Sequence, residues 1–184
     1  MTSQLPLPNL PFPKEWLPQE ACLVVGTVRD LLLQRQRHSF DLDLVVNDRA
    51  IALAKNIAHR CNAGFVALDT QRDIARIVFA EGTVDIAKIE GKTLEEDLHR
   101  RDFTINAMAL PVPEGNIAQP IHTPTLIDPL GGKQDLDARI IKMVSPDNLK
   151  ADPLRLFRAH RQGAQLHFTI DDTTRETIRN LAPL

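Results

Sequence analysis

Ser39-Phe40-Asp41-Leu42-Asp43-Leu44-Val45-Val46 alternates charge with aliphatic bulk and then turns fully apolar. Side chains two apart in a strand share a face. The stretch therefore predicts a strand with Leu42 and Leu44 in a core and both carboxylates on the opposite side. Their Cα atoms would stand about 6.6 Å apart. Two like charges at that spacing repel by roughly 2–3 kcal/mol at an effective dielectric of about 20, and a divalent cation between them reverses the sign. Hard carboxylate oxygens on a rigid strand suit Mg²⁺, which keeps waters and shares substrate phosphates.

Upstream, Ala21-Cys22-Leu23-Val24-Val25 is a short apolar run of strand type, Gly26-Thr27 is a break, and Val28 to Arg35 reads as a helix. A strand, a tight turn and a helix start make an anion site, because free backbone N–H groups and the helix dipole face the turn. Arg29 adds a charged donor in the first turn. A phosphate cradle thus precedes the carboxylate strand by one short helix.

The chain has 184 residues, enough for one ordinary domain with an extra helical segment. Its apolar share of 43% and charged share of 25% fit a globular protein. A net charge of −2 argues against a broad non-specific nucleic-acid footprint, so RNA contacts must come from local patches or from parts outside this sequence. No apolar stretch approaches a membrane span, and the N-terminus lacks a charged segment followed by an apolar one, so no secretory leader is expected. Cys22 and Cys61 both fall in apolar elements and read as reduced thiols of a cytoplasmic protein rather than as a disulfide.

Met1 to Pro18 carries Pro6, Pro8, Pro11, Pro13 and Pro18 and reads as an extended or loosely packed arm. Arg49 to Asn62 has helical spacing (Ile51, Ala54, Ile57, Ala58). Gly64 to Leu68 reads as a strand. Ile74 to Ala80 and Val84 to Ile89 flank a hairpin turn at Glu81-Gly82-Thr83. Thr93-Leu94-Glu95-Glu96 fits a capping box and opens a helix expected to run to Leu110. Pro111 to Pro129 should be loops with one short strand pair, and Asp128 to Gly132 a turn. Helices are expected over Asp135–Val144, Pro153–Gln165 and Asp172–Leu181. No internal repeat is visible. Strands dominate the first half and helices the second, which predicts an α+β fold with a helical tail.

Three further sites bear chemistry. Asp85, mid-strand in Val84-Asp85-Ile86-Ala87, completes a carboxylate triad if its strand neighbours that of Asp41 and Asp43. Such a triad serves two-metal phosphoryl chemistry; taken alone, Asp85 is a plain edge acid. Arg100-Arg101-Asp102, expected in the helix, is by itself a solvated face, but a nucleoside triphosphate needs cationic partners. Asp152 and Pro153 look like the cap and first residue of a helix along which Arg155, Arg158 and Arg161 recur every three residues. Asp41-Leu42-Asp43 also fits the Asp-x-Asp of aspartate-nucleophile phosphatases. There the pair ends a buried strand, and Arg35-Gln36-Arg37-His38-Ser39 cannot be one.

Five segments in order resemble the class II tRNA nucleotidyltransferase (CCA-adding enzyme)/poly(A) polymerase family of the polymerase-β-like superfamily. They are Val24 to Asp30, Asp41-Leu42-Asp43, Glu95 to Ala107 with its Arg-Arg-Asp-Phe-Thr-Ile-Asn-Ala, Ile127 to Gly132, and Asp152 to Arg161. Together they cover most of residues 21–170. The resemblance implies a Pro-rich arm (1–18), a catalytic head (19–144) with a small mixed sheet, and part of a helical neck (145–184) that reads the nucleotide. It implies that Gly26, Thr27 and Arg29 contact the triphosphate, that Asp41 and Asp43 bind Mg²⁺, and that Asp85 is the third catalytic carboxylate. Arg101, Asp152, Arg155, Arg158 and Arg161 match nucleotide-binding positions, with Asp152 and Arg155 reading the base.

The implied reaction adds CMP or AMP from CTP or ATP to a tRNA 3′ end with pyrophosphate release. Poly(A) addition, or nucleotide and RNA binding without activity, are the alternatives. Three positions depart from the family pattern: Val25 stands for the first of two glycines, Ala151 for a glutamate, and Glu90 for an arginine after the third carboxylate. Family members also continue into helical body and tail domains that grip the tRNA.

Overall fold

A computed structural model describes residues 8–35, 39–112 and 125–182. They divide into two compact units, residues 1–92 with 109–126 and residues 93–108 with 127–184. The chain passes from one unit to the other after residues 92, 108 and 126.

The first unit is a six-stranded sheet in the order β3-β4-β5-β2-β1-β6. Its strands are β1 (Cys22–Val24), β2 (Phe40–Val46), β3 (Gly64–Asp69), β4 (Ile74–Phe79), β5 (Gly82–Lys88) and β6 (Ala109–Pro111). Only β2 and β5 pair parallel; the other neighbours are antiparallel. Two helices belong to it, α1 (Val25–Leu32) and α2 (Ala50–Arg60).

The period-2 reading of β2 holds. Leu42 and Leu44 are buried, and in register with them Val84 and Ile86 of β5, then Ile77 and Ala75 of β4, are all 5% exposed or less. The apolar stripe of α2, Ala54, Ile57 and Ala58, is buried too and packs chiefly on β4. Each large aliphatic side chain so covered contributes about 1.5–3 kcal/mol. The opposite face of the same strands carries Asp41, Asp43, Asp85 and Arg76.

Residues 8–18 are not a loose lead-in. Phe12 is buried and stacks on Phe79 of β4, whose ring also meets Phe40, and Arg60 sits over the Trp16 ring. Cys22 and Cys61 are free thiols, and burial, then the charge of Glu20, pushes Cys22 up to about 11. Among the described residues no helix is long and apolar enough to cross a membrane.

The second unit holds α3 (Leu94–His99), α4 (Gly132–Asp137), α5 (Pro146–Ala151), α6 (Leu154–Leu166) and α7 (Asp172–Leu181), with a two-stranded parallel ribbon of β7 (Ile140–Ile141) and β8 (Thr169–Ile170). The α+β expectation is met, with strands foremost in the first half and helices in the second.

Two expected helices stop early. Thr93 caps α3 by accepting the Glu96 N–H, as the capping motif predicts. But α3 ends at His99, because residues 102–104 pair instead with 142–144: Thr104 N–H donates to Lys142 O, Val144 N–H to Asp102 O, and Phe103 bridges Met143. Helix α4 ends at Asp137, Arg139 turns left-handed at φ +58°, and Ile140–Ile141 of the expected continuation pair with Thr169–Ile170 as β7 and β8. Arg100 to Asp102 are thus not helical. The Asp128 turn works as an N-terminal cap: its carboxylate accepts Gly132 and Lys133 N–H at 2.7 and 2.9 Å. Gly131 takes φ +71°, and a Cβ on Gly132 would strike Thr104 O. Most of the expected strand pair after Pro111 lies outside the described residues.

Helix α5 was not expected. Ser145 caps it by accepting Asn148 N–H, and Pro146 takes its first turn, the usual Ser-Pro start. Helix α6 begins one residue later than expected. Pro153 holds the cap position, yet the Asp152 carboxylate still accepts Leu154 N–H at 3.0 Å.

Candidate functional site

Two separate sets of polar side chains account for the residues expected to act. The first lies on the outer face of the sheet. Register sets Asp43 of β2 directly opposite Asp85 of β5, and Asp41 opposite Thr83. Asp41 Oδ1 accepts the Thr83 hydroxyl at 2.9 Å. The three acids expected from the sequence therefore share one face of two paired strands, Asp43 and Asp85 in one row and Asp41 in the next.

Helix α1 starts beside them, and it starts earlier than expected: Gly26 and Thr27 are its first turn, not a break before it. Thr27 is buried, and its hydroxyl accepts Asp43 N–H at 2.7 Å and donates to Asp41 O at 3.4 Å. It pins the helix start to the strand between the two aspartates, so its observed work is to hold the site's backbone. A Cβ on Gly26 would lie 3.4 Å from Asp43 Oδ2 and 3.6 Å from Arg29 Nη2. Glycine there leaves the space beside Asp43 open. Arg29 is buried in the same turn, with Nε donating to Asp30 Oδ1 at 3.0 Å. Val25, where the family pattern has glycine, takes φ +51°. Left-handed backbone costs an L-residue about 1–2 kcal/mol, so the turn keeps its glycine-type shape at an energetic cost.

The donor set fits Mg²⁺: two carboxylates on one face of a strand, hard oxygens without sulfur or imidazole, next to a helix start open to phosphate. Asp85 is held differently. Arg76 of β4 stands opposite it, with Nε donating to Oδ1 at 2.7 Å and Nη2 to Oδ2 at 2.8 Å. The hydrogen bond to Asp85, then the charges of Asp85, Asp41 and Asp43, raise the Arg76 pKa above its ordinary value against the lowering effect of burial. Sequence reasoning missed Arg76. The signal was a lone charge at an alternate position of Ile74-Ala75-Arg76-Ile77.

The second set lies in the second unit. Arg101 Nε and Nη2 donate to Asp97 Oδ2 at 3.1 and 2.6 Å, and Asp97 is buried. Arg155 Nη1 donates to the carbonyls of Arg100 and Asn148, both at 2.9 Å, and its Nε lies 3.7 Å from Asp152 Oδ2. Arg158 Nε lies 2.9 Å from the buried Asp102 Oδ2, as an ion pair whose N–H is not aimed along the contact. The other Asp102 oxygen accepts Phe103 N–H and Asn106 Nδ2, and Asn106 also donates to Gln162. Arg161 is exposed on α6. Arg101, Asp152, Arg155 and Arg158 are thus gathered around the start of α6.

The join is Asn148, which sequence reasoning also missed. Its amide donates to the carbonyls of His99 and Arg101, both at 2.8 Å, while its own carbonyl accepts Arg155. One residue, by its side chain on one side and its main chain on the other, ties the Arg-Arg-Asp segment to the arginine of α6.

Known proteins resemble the chain over most of its length. The family description "Poly A polymerase head domain" matches residues 21–142. A CC-adding tRNA nucleotidyltransferase of Synechocystis sp. is 52% identical over 95% of this chain and 40% of its own length. An A-adding tRNA nucleotidyltransferase of Deinococcus radiodurans is 42% identical over 96% of this chain and 36% of its own. A solved tRNA-processing enzyme with CTP superposes at a TM-score of 0.72 and 33% identity, over 89% of this chain and 43% of that one. A tRNA nucleotidyltransferase complexed with a primer tRNA and an incoming ATP analog gives 0.70 and 33%, over 89% and 46%. The chain spans about two fifths of the length of these curated relatives.

Proposed function

The chain belongs to the poly A polymerase head domain family, and from that premise we propose that it is the catalytic and nucleotide-reading part of a tRNA nucleotidyltransferase. The observation that carries this reading is the pair Asp41 and Asp43 on alternate positions of β2, beside the glycine-opened start of α1.

In this reading Asp41 and Asp43 hold Mg²⁺. When bound, the ion offsets their repulsion and acts as a Lewis acid on the triphosphate. The α1 start at Gly26 and Arg29 takes the phosphates, with free N–H groups and the helix dipole favouring negative charge. The 3′-hydroxyl of the RNA attacks the α-phosphorus of CTP or ATP. A new P–O ester bond forms, the bond to the β-phosphate oxygen breaks, and pyrophosphate leaves. Asp152 and Arg155 select the base, with Arg101, Arg158 and Arg161 as further cationic contacts. The expected head (19–144) and neck (145–184) name this division of labour between chemistry and base choice. Its place of action is the cytoplasm.

The relatives named above add different nucleotides, CC in one and A in the other. Incorporation onto a tRNA lacking its 3′ end, with CTP alone, ATP alone and both, tests the proposal and assigns the product. Mg²⁺-dependent addition with pyrophosphate release is the expected result. Nucleotide binding with no incorporation under any of the three conditions would favour a binding module instead.

A further inference from the structure

Arg76 has no part in the chemistry above, yet it occupies the row that chemistry uses. The row runs across three strands: Arg76 of β4 opposite Asp85 of β5, and Asp85 opposite Asp43 of β2. The guanidinium closes on Asp85 as a fork, one nitrogen to each oxygen, at 2.7 and 2.8 Å. Such a fork fixes orientation as well as charge, which a lysine ammonium would not. Each Asp85 oxygen keeps a lone pair outside the fork, but the fork fixes where it points, so turning the carboxylate toward a cation at Asp41 and Asp43 breaks the fork geometry.

We propose that Arg76 is a positioning residue that withholds Asp85 from the metal, so that the resting site offers two carboxylates and the third joins only when the fork opens. This rests on the reading of Asp41 and Asp43 as metal ligands. It makes Asp85 a ligand in reserve, and it makes Arg76 the group that keeps metal affinity low without nucleotide.

Mn²⁺, titrated into the protein without nucleotide and followed by electron paramagnetic resonance, serves as the probe. The parent is compared with Arg76→Gln, Asp85→Asn and the double variant, with thermal melts as a fold check. Arg76→Gln should bind Mn²⁺ about tenfold tighter, a coupling of ordinary size for groups in contact. Asp85→Asn should weaken Mn²⁺ binding clearly less than Asp43→Asn does, because it removes a neighbouring charge but no ligand in use.

The double variant separates ligation from simple charge removal. Losing a positive charge favours a cation whether or not Asp85 is present, so that part of the gain survives in the Asp85→Asn background and the ligation part does not. A double variant within about threefold of Asp85→Asn supports the proposal. An equal tenfold gain in both backgrounds overturns it, as does an Asp85→Asn loss as large as that of Asp43→Asn.

Asp43→Asn is the control for the underlying reading. If it binds Mn²⁺ as the parent does, the metal assignment itself fails; if it loses binding while the cycle shows no coupling, only the role of Arg76 fails. Should Arg76→Gln not fold, Arg76→Lys keeps the charge but not the fork. Tighter Mn²⁺ binding in that variant supports the proposal, and unchanged binding contradicts it.

Discussion

Asp41, Asp43, Asp85 and Arg76 owe their places to strand period and register. Arg101, Asp102, Asn148, Arg155 and Arg158 owe theirs to individual hydrogen bonds and ion pairs that tie irregular backbone at residues 100–102 to helices α5 and α6. The sheet row leaves no slack, because a one-residue slip of β2 would bury both aspartates and expose Leu42 and Leu44. The cluster around α6 is adjustable, since each arginine there is aimed by one or two partners. Changes on the sheet should therefore act all-or-none on chemistry with the fold intact, and changes around α6 should act by degrees on nucleotide choice.

The sharpest way to break that comparison is Asp43→Asn, and Asp41→Asn beside it. Incorporation should fall by about a thousandfold or more, since charge stabilisation at a metal-held site is worth several kcal/mol. The melting temperature should stay within a few degrees of the parent. Turnover within a few-fold of the parent at equal Mg²⁺ would remove the carboxylate pair from the mechanism.

Asn148→Ala comes next. It deletes both amide bonds to the His99 and Arg101 carbonyls and should cost about 1–2 kcal/mol of stability. Its larger mark should be on KM for the nucleotide, raised about tenfold with kcat changed less, because the Arg101 segment loses its anchor on α5, beside the residue-148 carbonyl that holds Arg155. Steady-state kinetics and urea melts read the two effects. A collapse of kcat with KM unchanged would place Asn148 with the chemistry and erase the contrast between the regions.

Asp152→Ala tests the cluster at its most exposed acid. Losing the bond to Leu154 N–H should cost about 1 kcal/mol. If Asp152 also accepts the exocyclic amino group shared by CTP and ATP, discrimination against UTP and GTP should relax. Competition among all four nucleotides decides it, and selectivity left intact beside a stability loss would leave Asp152 as a cap.

The smallest effect is at the start of α1. Val25→Gly relieves a left-handed backbone at φ +51°, worth about 1–2 kcal/mol, against about 0.5–1 kcal/mol of added unfolded-state freedom. A net gain of up to about 1 kcal/mol in chemical denaturation is expected. A clear loss would mean that valine's packing outweighs the strain.

The same contrast explains what could be read from the chain alone. Alternation in Phe40 to Val46 fixes which side chains face out, so Asp41, Asp43 and the buried Leu42 and Leu44 were legible. The lengths of α3 and α4 were not, because residues 102–104 and 142–144 pair across about forty residues of sequence, and local helical preference yields to that pairing. Arg76 escaped because one charge in an apolar strand looks solvent-facing until the register sets Asp85 opposite it. Asn148 escaped with α5, although Ser145-Pro146 carries a helix-start signal. The residues proposed to read the nucleotide were legible as a list. What each of them touches was not, because Asp97, Asp102 and the carbonyls of Arg100 and Asn148 become partners only through the fold.

The central claim is that alternate carboxylates on one strand and the neighbouring helix start form a single metal–triphosphate site. Calorimetric titration of Mg²⁺ into the protein, with and without CTP and with no RNA present, tests it most directly. Triphosphate oxygens complete the shell of an ion held by only two carboxylates, so binding should be weak alone and at least about tenfold tighter with CTP, and Asp43→Asn should abolish the gain. Equal Mg²⁺ affinity with and without CTP would contradict it.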